Sequence, residues 1–270
     1  MILLMLMVII VLVILGLVGG SFVNAFVWRF HENKNWVSGR SECVYCHHQL
    51  SSIELIPLLS YIGLGGKCHY CHKHISLQYP LVELFTALVF IVSYIYWPIP
   101  IKGVQVLIFI LWLAVVIGLV ALIIYDIKWM ILPNSIVFSL IAVGLLMAII
   151  NLLNAQNKGT MTLNYIGACA ISGGIFYVIY VLSKGKWIGG GDVKLGLLLG
   201  LLVATPEKAF LLLFLASLIG SIVSVPLMLS GKMKRQTLIP FGPFLIISCF
   251  VIELVGSNIL HWYMHMLIYR

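Results

Sequence analysis

The 270-residue chain contains only two aspartates, Asp126 and Asp192, and each stands where a long apolar run meets a charged or glycine-rich stretch. Asp126 lies in Tyr125-Asp126-Ile127-Lys128, and Asp192 in Gly189-Gly190-Gly191-Asp192-Val193-Lys194. The remaining acidic residues are Glu32, Glu42, Glu54, Glu83, Glu207 and Glu253. A carboxylate at the edge of a membrane segment is costly, which marks it as functional by default. Two carboxylates brought close share one proton, because like charges in a poorly solvated site do not both ionise easily. The charged member then takes a proton from water while the neutral member donates one to a substrate carbonyl, which is amide hydrolysis without a covalent intermediate. The glycines before Asp192 remove side chains and let an extended backbone approach. Each aspartate alone has an ordinary reading: Asp126 as an ion-pair partner of Lys128, and Asp192 as a helix cap after a glycine turn. Their common placement at one membrane face favours a catalytic pair.

A second constellation is Cys43-Val44-Tyr45-Cys46 with Cys68-His69-Tyr70-Cys71. Two C-x-x-C pairs about 21 residues apart have the spacing of a structural four-cysteine zinc site, each pair supplying one knuckle. Metal-free thiols and two disulfides are the alternatives, and a cytosolic location disfavours disulfides. His47, His48, His69, His72 and His74 crowd the same loop and read mainly as solvated residues. Cys169 and Cys249 lie in apolar runs and read as small packing residues.

The elements that must position these residues are membrane helices. Hydrophobic residues make up 62% of the chain, charged residues 9%, and mean hydropathy is +1.14. A soluble domain carries about a quarter charged residues. The pattern predicts an all-α polytopic membrane protein of about eight transmembrane helices, each of roughly 20 residues. They fall near 2–27, 79–97, 104–125, 135–152, 164–183, 194–205, 208–229 and 241–260. The segment after Lys194 is short for a span and borders the glycine run, as suits a site that water must enter. Three regions follow: a first transmembrane anchor over 1–28, a cytoplasmic four-cysteine zinc-binding loop over 29–78, and a membrane-embedded domain over 79–270.

The net charge of +8 is explained by orientation rather than by nucleic acid. Placing the cysteine loop in the cytoplasm puts twelve of the sixteen Lys and Arg inside, Lys232, Lys234 and Arg235 among them. It leaves Lys102, Lys158, Lys208 and Arg270 outside, with the N-terminus outside as well. Residues 1–20 contain no Lys or Arg, so the segment reads as a retained anchor rather than a cleaved signal. Gly16, Gly19, Gly20 and Ser21 form a small-residue patch suited to close helix packing. Pro80 falls where a helix start tolerates proline, and Glu83, one turn further in, is open to a structural or a functional role.

Taken in order, Gly20-Ser21-Phe22-Val23-Asn24, Arg40-Ser41 before the first C-x-x-C, Ile56-Pro57 with Ser60-Tyr61, the second C-x-x-C, and Tyr79-Pro80 with Glu83 form one half of a longer pattern. Asp126 with Leu132-Pro133, Gly189-Gly190-Gly191-Asp192-Val193-Lys194, and Pro240-Phe241-Gly242-Pro243 complete it. Over nearly the full length this resembles the bacterial type IV prepilin peptidases, aspartic membrane peptidases of the G-x-G-D type. The resemblance implies removal of the basic leader from prepilins or pseudopilins on the cytoplasmic face of the bacterial plasma membrane. It also implies, in many members, S-adenosylmethionine-dependent N-methylation of the new N-terminus. Asp126 and Asp192 match the family's catalytic aspartates, and Cys43, Cys46, Cys68 and Cys71 its zinc-type cysteines. Two positions depart from the pattern: Val44, where proline is frequent, and Gln78, where a basic residue is frequent. Both fall in the region tied to methyl transfer, and no stretch forms a glycine-rich nucleotide fingerprint.

Three alternatives bear on the same residues. One is a peptidase without methyl transfer. Another is a proton-coupled transporter using the aspartates as relays, against which both carboxylates fall on one face rather than along a path. The last is a membrane-anchored zinc sensor, for which one or two spans would suffice.

Overall fold

The computed structural model describes residues 2–35, 39–230 and 239–268. Lys232, Lys234, Arg235 and Arg270, used above in the charge count, lie outside the described residues. The described chain is helical, and its only β-type pairings are two isolated bridges. Among the described residues, seven helices are long and apolar enough to cross a membrane. Packing divides the chain into two compact units, residues 1–96 with 116–121 and residues 97–115 with 122–270.

The first unit is built on α1 (Ile2–His31) and α3 (Gln78–Ile95), joined by a loop that holds a 3₁₀ turn at Ile53–Leu55 and the short α2 (Leu59–Gly63). The small-residue patch read from the sequence is the contact surface. A methyl placed on Gly16 would lie 2.5 Å from Ala87 Cα, and one on Gly20 would lie 2.6 Å from Glu83 Cα. Rising numbers on α1 meet falling numbers on α3, so the helices are antiparallel at nearly backbone-to-backbone approach, as small residues permit. Side chains lock the register: Asn24 Nδ2 donates to the Tyr79 carbonyl at 3.2 Å, and Gln78 Nε2 donates to Asn24 Oδ1 at 3.1 Å.

The second unit contains α4 (Val104–Trp129) except for its middle turns, α5 (Asn134–Asn154), α6 (Lys158–Cys169), α7 (Ile175–Ser183), α8 (Gly190–Val203), α9 (Pro206–Leu229) and α10 (Gly242–Ile268). Local chemistry sets several ends. Asn157 accepts from the Thr160 amide, and Thr205 accepts from the Lys208 amide ahead of Pro206. Met130 takes the left-handed conformation, φ 53°, and its amide donates to the Asp126 carbonyl, which stops α4 three residues before Pro133.

The segment expected to be the short span after Lys194, the sixth of the eight, is α8. Its 14 residues reach about 21 Å, less than a bilayer core. The physical reason is its surroundings: Leu195, Leu198, Leu199, Leu202 and Val203 are all buried, so protein rather than lipid takes up its apolar surface. By contrast, α9 turns Phe210, Phe214, Leu218 and Ile222 outward. A π-helical step at Ala170–Gly174 connects α6 to α7 and packs closely on α8. There Ser172 Oγ lies 2.8 Å from both the Ala168 and Gly196 carbonyl oxygens.

Candidate active site

Asp126 is carried on the last turn of α4 and is 6% exposed. Its Oδ2 accepts a hydrogen bond from the Gly242 amide at 3.0 Å, across 116 positions of sequence. Gly242 is the first residue of α10, so the carboxylate sits on a helix N-terminus, where unpaired N–H groups and the helix dipole favour negative charge. Phe241, packed edge-on against Phe176 of α7 at 6.1 Å, holds that terminus in place. Lys128 lies over the Trp129 ring at 5.5 Å, and among the described residues no ion pair joins it to Asp126.

Asp192 occupies the first turn of α8, so it too stands at a helix N-terminus. The start of α8 packs on the α4–α5 connection: a methyl on Gly191 would meet Leu132 at 3.2 Å, and Lys194 Nζ donates to Asn134 Oδ1 at 2.7 Å. One turn further, Leu195 packs near Gly242 beside Asp126. The two aspartates are thus brought to the same end of the second unit. Burial and the nearby charge of Asp126 push the Asp192 carboxyl up to about 6, against a Gly189 backbone hydrogen bond that pulls it down. Gly191 thus packs closely on Leu132, where a side chain would need Leu132 to give by a few tenths of an ångström.

Gly242 belongs to the Pro240-Phe241-Gly242-Pro243 motif, to which the sequence alone assigns no part in the site. The available signal was Gly242-Pro243 at the head of an apolar run, a helix-start pattern. A methyl at Gly242 would lie 2.6 Å from Asp126 Oδ2 and 3.3 Å from Cγ. Gly242→Ala is expected to displace the Asp126 carboxylate and, on the reading of Asp126 as a catalytic acid, to lower turnover by about 10²-fold, since small misplacements of a reacting group are that costly. A kcat measurement beside an unchanged helical circular dichroism spectrum checks this.

In the first unit, the sulfur atoms of Cys43, Cys46, Cys68 and Cys71 all lie within 4.8 Å of one another, with Cys43 and Cys71 at 3.9 Å. In this structure all four stand as free thiols. The flanking backbone repeats itself. Glu42 bridges Gln49 and Lys67 bridges His74, the Cys43 and Cys68 amides donate to the His48 and Lys73 carbonyls, and His47 and His72 take φ 56° and 55°. These are two equivalent knuckles facing each other. Sulfurs about 2.3 Å from a tetrahedral metal would be about 3.8 Å apart, so the cluster fits such an ion. Burial opposes ionisation of Cys43, but hydrogen bonds with the Cys46 and Tyr45 backbone and the neighbouring thiols bring it down to about 7. Cys169 Sγ meets the Leu197 carbonyl at 3.7 Å and Cys249 is buried, both within helix packing. Glu83 accepts from the Leu58 amide at 2.9 Å, tying the loop to α3.

An all-helical membrane protein that gathers two carboxylates on helix N-termini at one end, and four thiols in a separate loop, falls in the class of multi-pass membrane proteins with an acid–base site. A family model described as bacterial peptidase A24 N-terminal domain matches residues 14–97, and one described as type IV leader peptidase family matches residues 113–225. The prepilin leader peptidase/N-methyltransferase of Aeromonas salmonicida (strain A449) is 33% identical over 234 residues, 86% of this chain and 77% of the relative. Proteins of the same name from Bacillus subtilis (strain 168) and Pseudomonas aeruginosa are each 29% identical, covering 94% and 93% of this chain and 97% and 92% of the relatives. No solved structure matches. The chain belongs to the type IV leader peptidase family.

Proposed function

We propose that this enzyme removes the basic leader from type IV prepilins or pseudopilins at the cytoplasmic membrane surface, with Asp126 and Asp192 as its catalytic pair. The observation that carries the reading is the arrival of both carboxylates, each on a helix N-terminus, at one end of the second unit, beside the Gly242 amide. One shared proton serves the pair. The ionised carboxylate removes a proton from water as its oxygen attacks the scissile carbonyl, and the protonated carboxyl gives its proton to the carbonyl oxygen. Collapse of the tetrahedral intermediate breaks the C–N bond, with a proton passing to the departing amine. A substrate with a charged leader ahead of an apolar helix would present its scissile bond at the membrane rim, where both aspartates stand at their helix ends.

The relatives' names also couple peptidase to N-methyltransferase, so methylation of the new amine with S-adenosylmethionine as donor is the second half of the proposal. The four cysteines would hold a structural zinc ion, whose chemistry here is to cross-link the loop. The N-terminus outside, the cysteine loop and the aspartates inside, is the topology that the distribution of basic residues supports.

Incubating membranes containing the protein with a prepilin peptide and weighing the products tests both halves. A mature fragment shortened by the leader is expected, heavier by about 14 Da per methyl group in the presence of the methyl donor, a modification that keeps the amine's charge. An uncut peptide under conditions where a related enzyme cuts it would remove the proposal.

A further inference from the structure

The loop between α1 and α3 carries an apolar face that its own fold does not cover. Ile53 is 76% exposed, Leu59 68% and Ile62 72%, with Leu55 and Ile56 exposed beside them. On α2 the pattern is inverted for a soluble loop. Leu59 and Ile62 point outward on one face, while Leu58 and Tyr61 turn toward the loop interior and are half-buried. An outward apolar face of this kind marks an interaction surface.

Its height relative to the bilayer follows from one hydrogen bond. The Leu58 amide donates to Glu83 Oε2 at 2.9 Å. Glu83 lies five residues into α3, about 7 Å along its axis. That helix has only 18 residues, about 27 Å, so its full length is needed to cross a hydrocarbon core of about 30 Å. The Glu83 level therefore lies about 7 Å inside the membrane boundary, and the backbone of Leu58 is tied to that level. The lipid-facing side of α3 runs through Leu77, Leu81, Leu84 and Leu88, all exposed and spaced by four, three and four residues. Its first member, Leu77, precedes the helix and belongs to the same loop.

From this we infer that residues 53–63 form an interfacial element that rests in the bilayer, with Ile53, Leu55, Ile56, Leu59 and Ile62 in contact with lipid at the headgroup–acyl boundary. Short amphipathic segments bind membranes in this way, with the apolar side roughly 5–10 Å deep. The occupant of the face is phospholipid, continuous with the lipid that covers the leucine stripe of α3. The element holds the cysteine knuckles against the membrane surface. The inference is independent of the catalytic assignment, because it concerns only the first unit and its test reads no cleavage.

The experiment places photoreactive benzoylphenylalanine at Leu59 or at Ile62 in the full-length protein, reconstituted in nanodiscs of phosphatidylethanolamine and phosphatidylglycerol. Leu84 serves as the lipid-facing reference and Gln49, exposed on a knuckle, as the water-facing one. After irradiation, adducts with the mass of one phospholipid are expected at 59 and 62, within about twofold of the yield at Leu84 and at least about fivefold above Gln49. Yields no higher than at Gln49 would overturn the inference, as would cross-links to a second protein chain or to a peptide substrate. The unmodified protein gives a second reading that needs no variant. A lipid-soluble carbene precursor should label residues 53–63 and a water-soluble one should not, and the reverse pattern would sink the idea.

Discussion

Asp192→Asn and Asp126→Asn are each expected to lower prepilin cleavage by about 10³-fold or more, and the double variant by no more than the worse single one. General acid–base catalysis supplies about 10²–10⁴-fold, and residues that act as one unit lose their effect together rather than additively. Neither change should unfold the protein. An asparagine Oδ1 at position 126 still accepts the Gly242 amide. At position 192 the neutral amide is better suited to its site than the carboxylate. Burial and the Asp126 charge raise that carboxyl from 3.8 to about 6. A raised folded-state pKa means that the protonated form is the one folding favours, so its stability is fully present below about 3.8 and is lost as pH rises through about 6. Asp192→Asn is therefore expected to be more stable than wild type above pH 6, by about 1–3 kcal/mol, with the difference shrinking toward acid. Thermal unfolding of both proteins at pH 5 and 8, beside single-turnover cleavage, measures the two effects. A variant that cleaves at the wild-type rate removes the dyad, and one less stable at pH 8 than at pH 5 relative to wild type removes the electrostatic account.

The same site also shows what a sequence can and cannot disclose. The seven long spans were legible because membrane crossing is a property of each segment by itself, length and hydropathy deciding it. The cysteine spacing was legible for the same reason: each knuckle closes within a few residues, from Glu42 to Gln49 and from Lys67 to His74. Helix α8 was harder. Its apolar composition is that of a span, and only the helices around it reveal that its leucines face protein. The Gly242–Asp126 hydrogen bond was beyond reach, since nothing local to either residue encodes a partner 116 positions away. The outward apolar face of residues 53–63 was equally hidden, because Leu58 and Leu59 read alike until one is seen turned in and the other out. Contacts set by the chain's own neighbourhood can be read in advance, whereas those set by helix assembly cannot.

Loss of the proposed zinc from the cysteine loop should have the largest structural effect of any local change. Among residues 39–77 only Gly66 and Cys68 are buried, so almost no hydrophobic core holds this loop together. Two antiparallel bridges and the Leu58–Glu83 hydrogen bond are modest ties, each hydrogen bond contributing about 1 kcal/mol. A four-thiolate metal site supplies roughly 10 kcal/mol or more in peptides of this size. Cys68→Ser, which replaces the one buried thiol of the four, is expected to reduce bound zinc to well under half and to raise amide exchange across residues 39–75 by orders of magnitude. A chelator should reproduce both changes in wild type, and added zinc should reverse them there but not in the variant. The membrane helices draw their stability from hydrogen bonds internal to each segment, so helical circular dichroism should hold while the loop opens. Elemental analysis of purified wild type is the deciding measurement. A metal-free protein whose loop is nonetheless protected from exchange would show that thiols and backbone alone maintain the two knuckles.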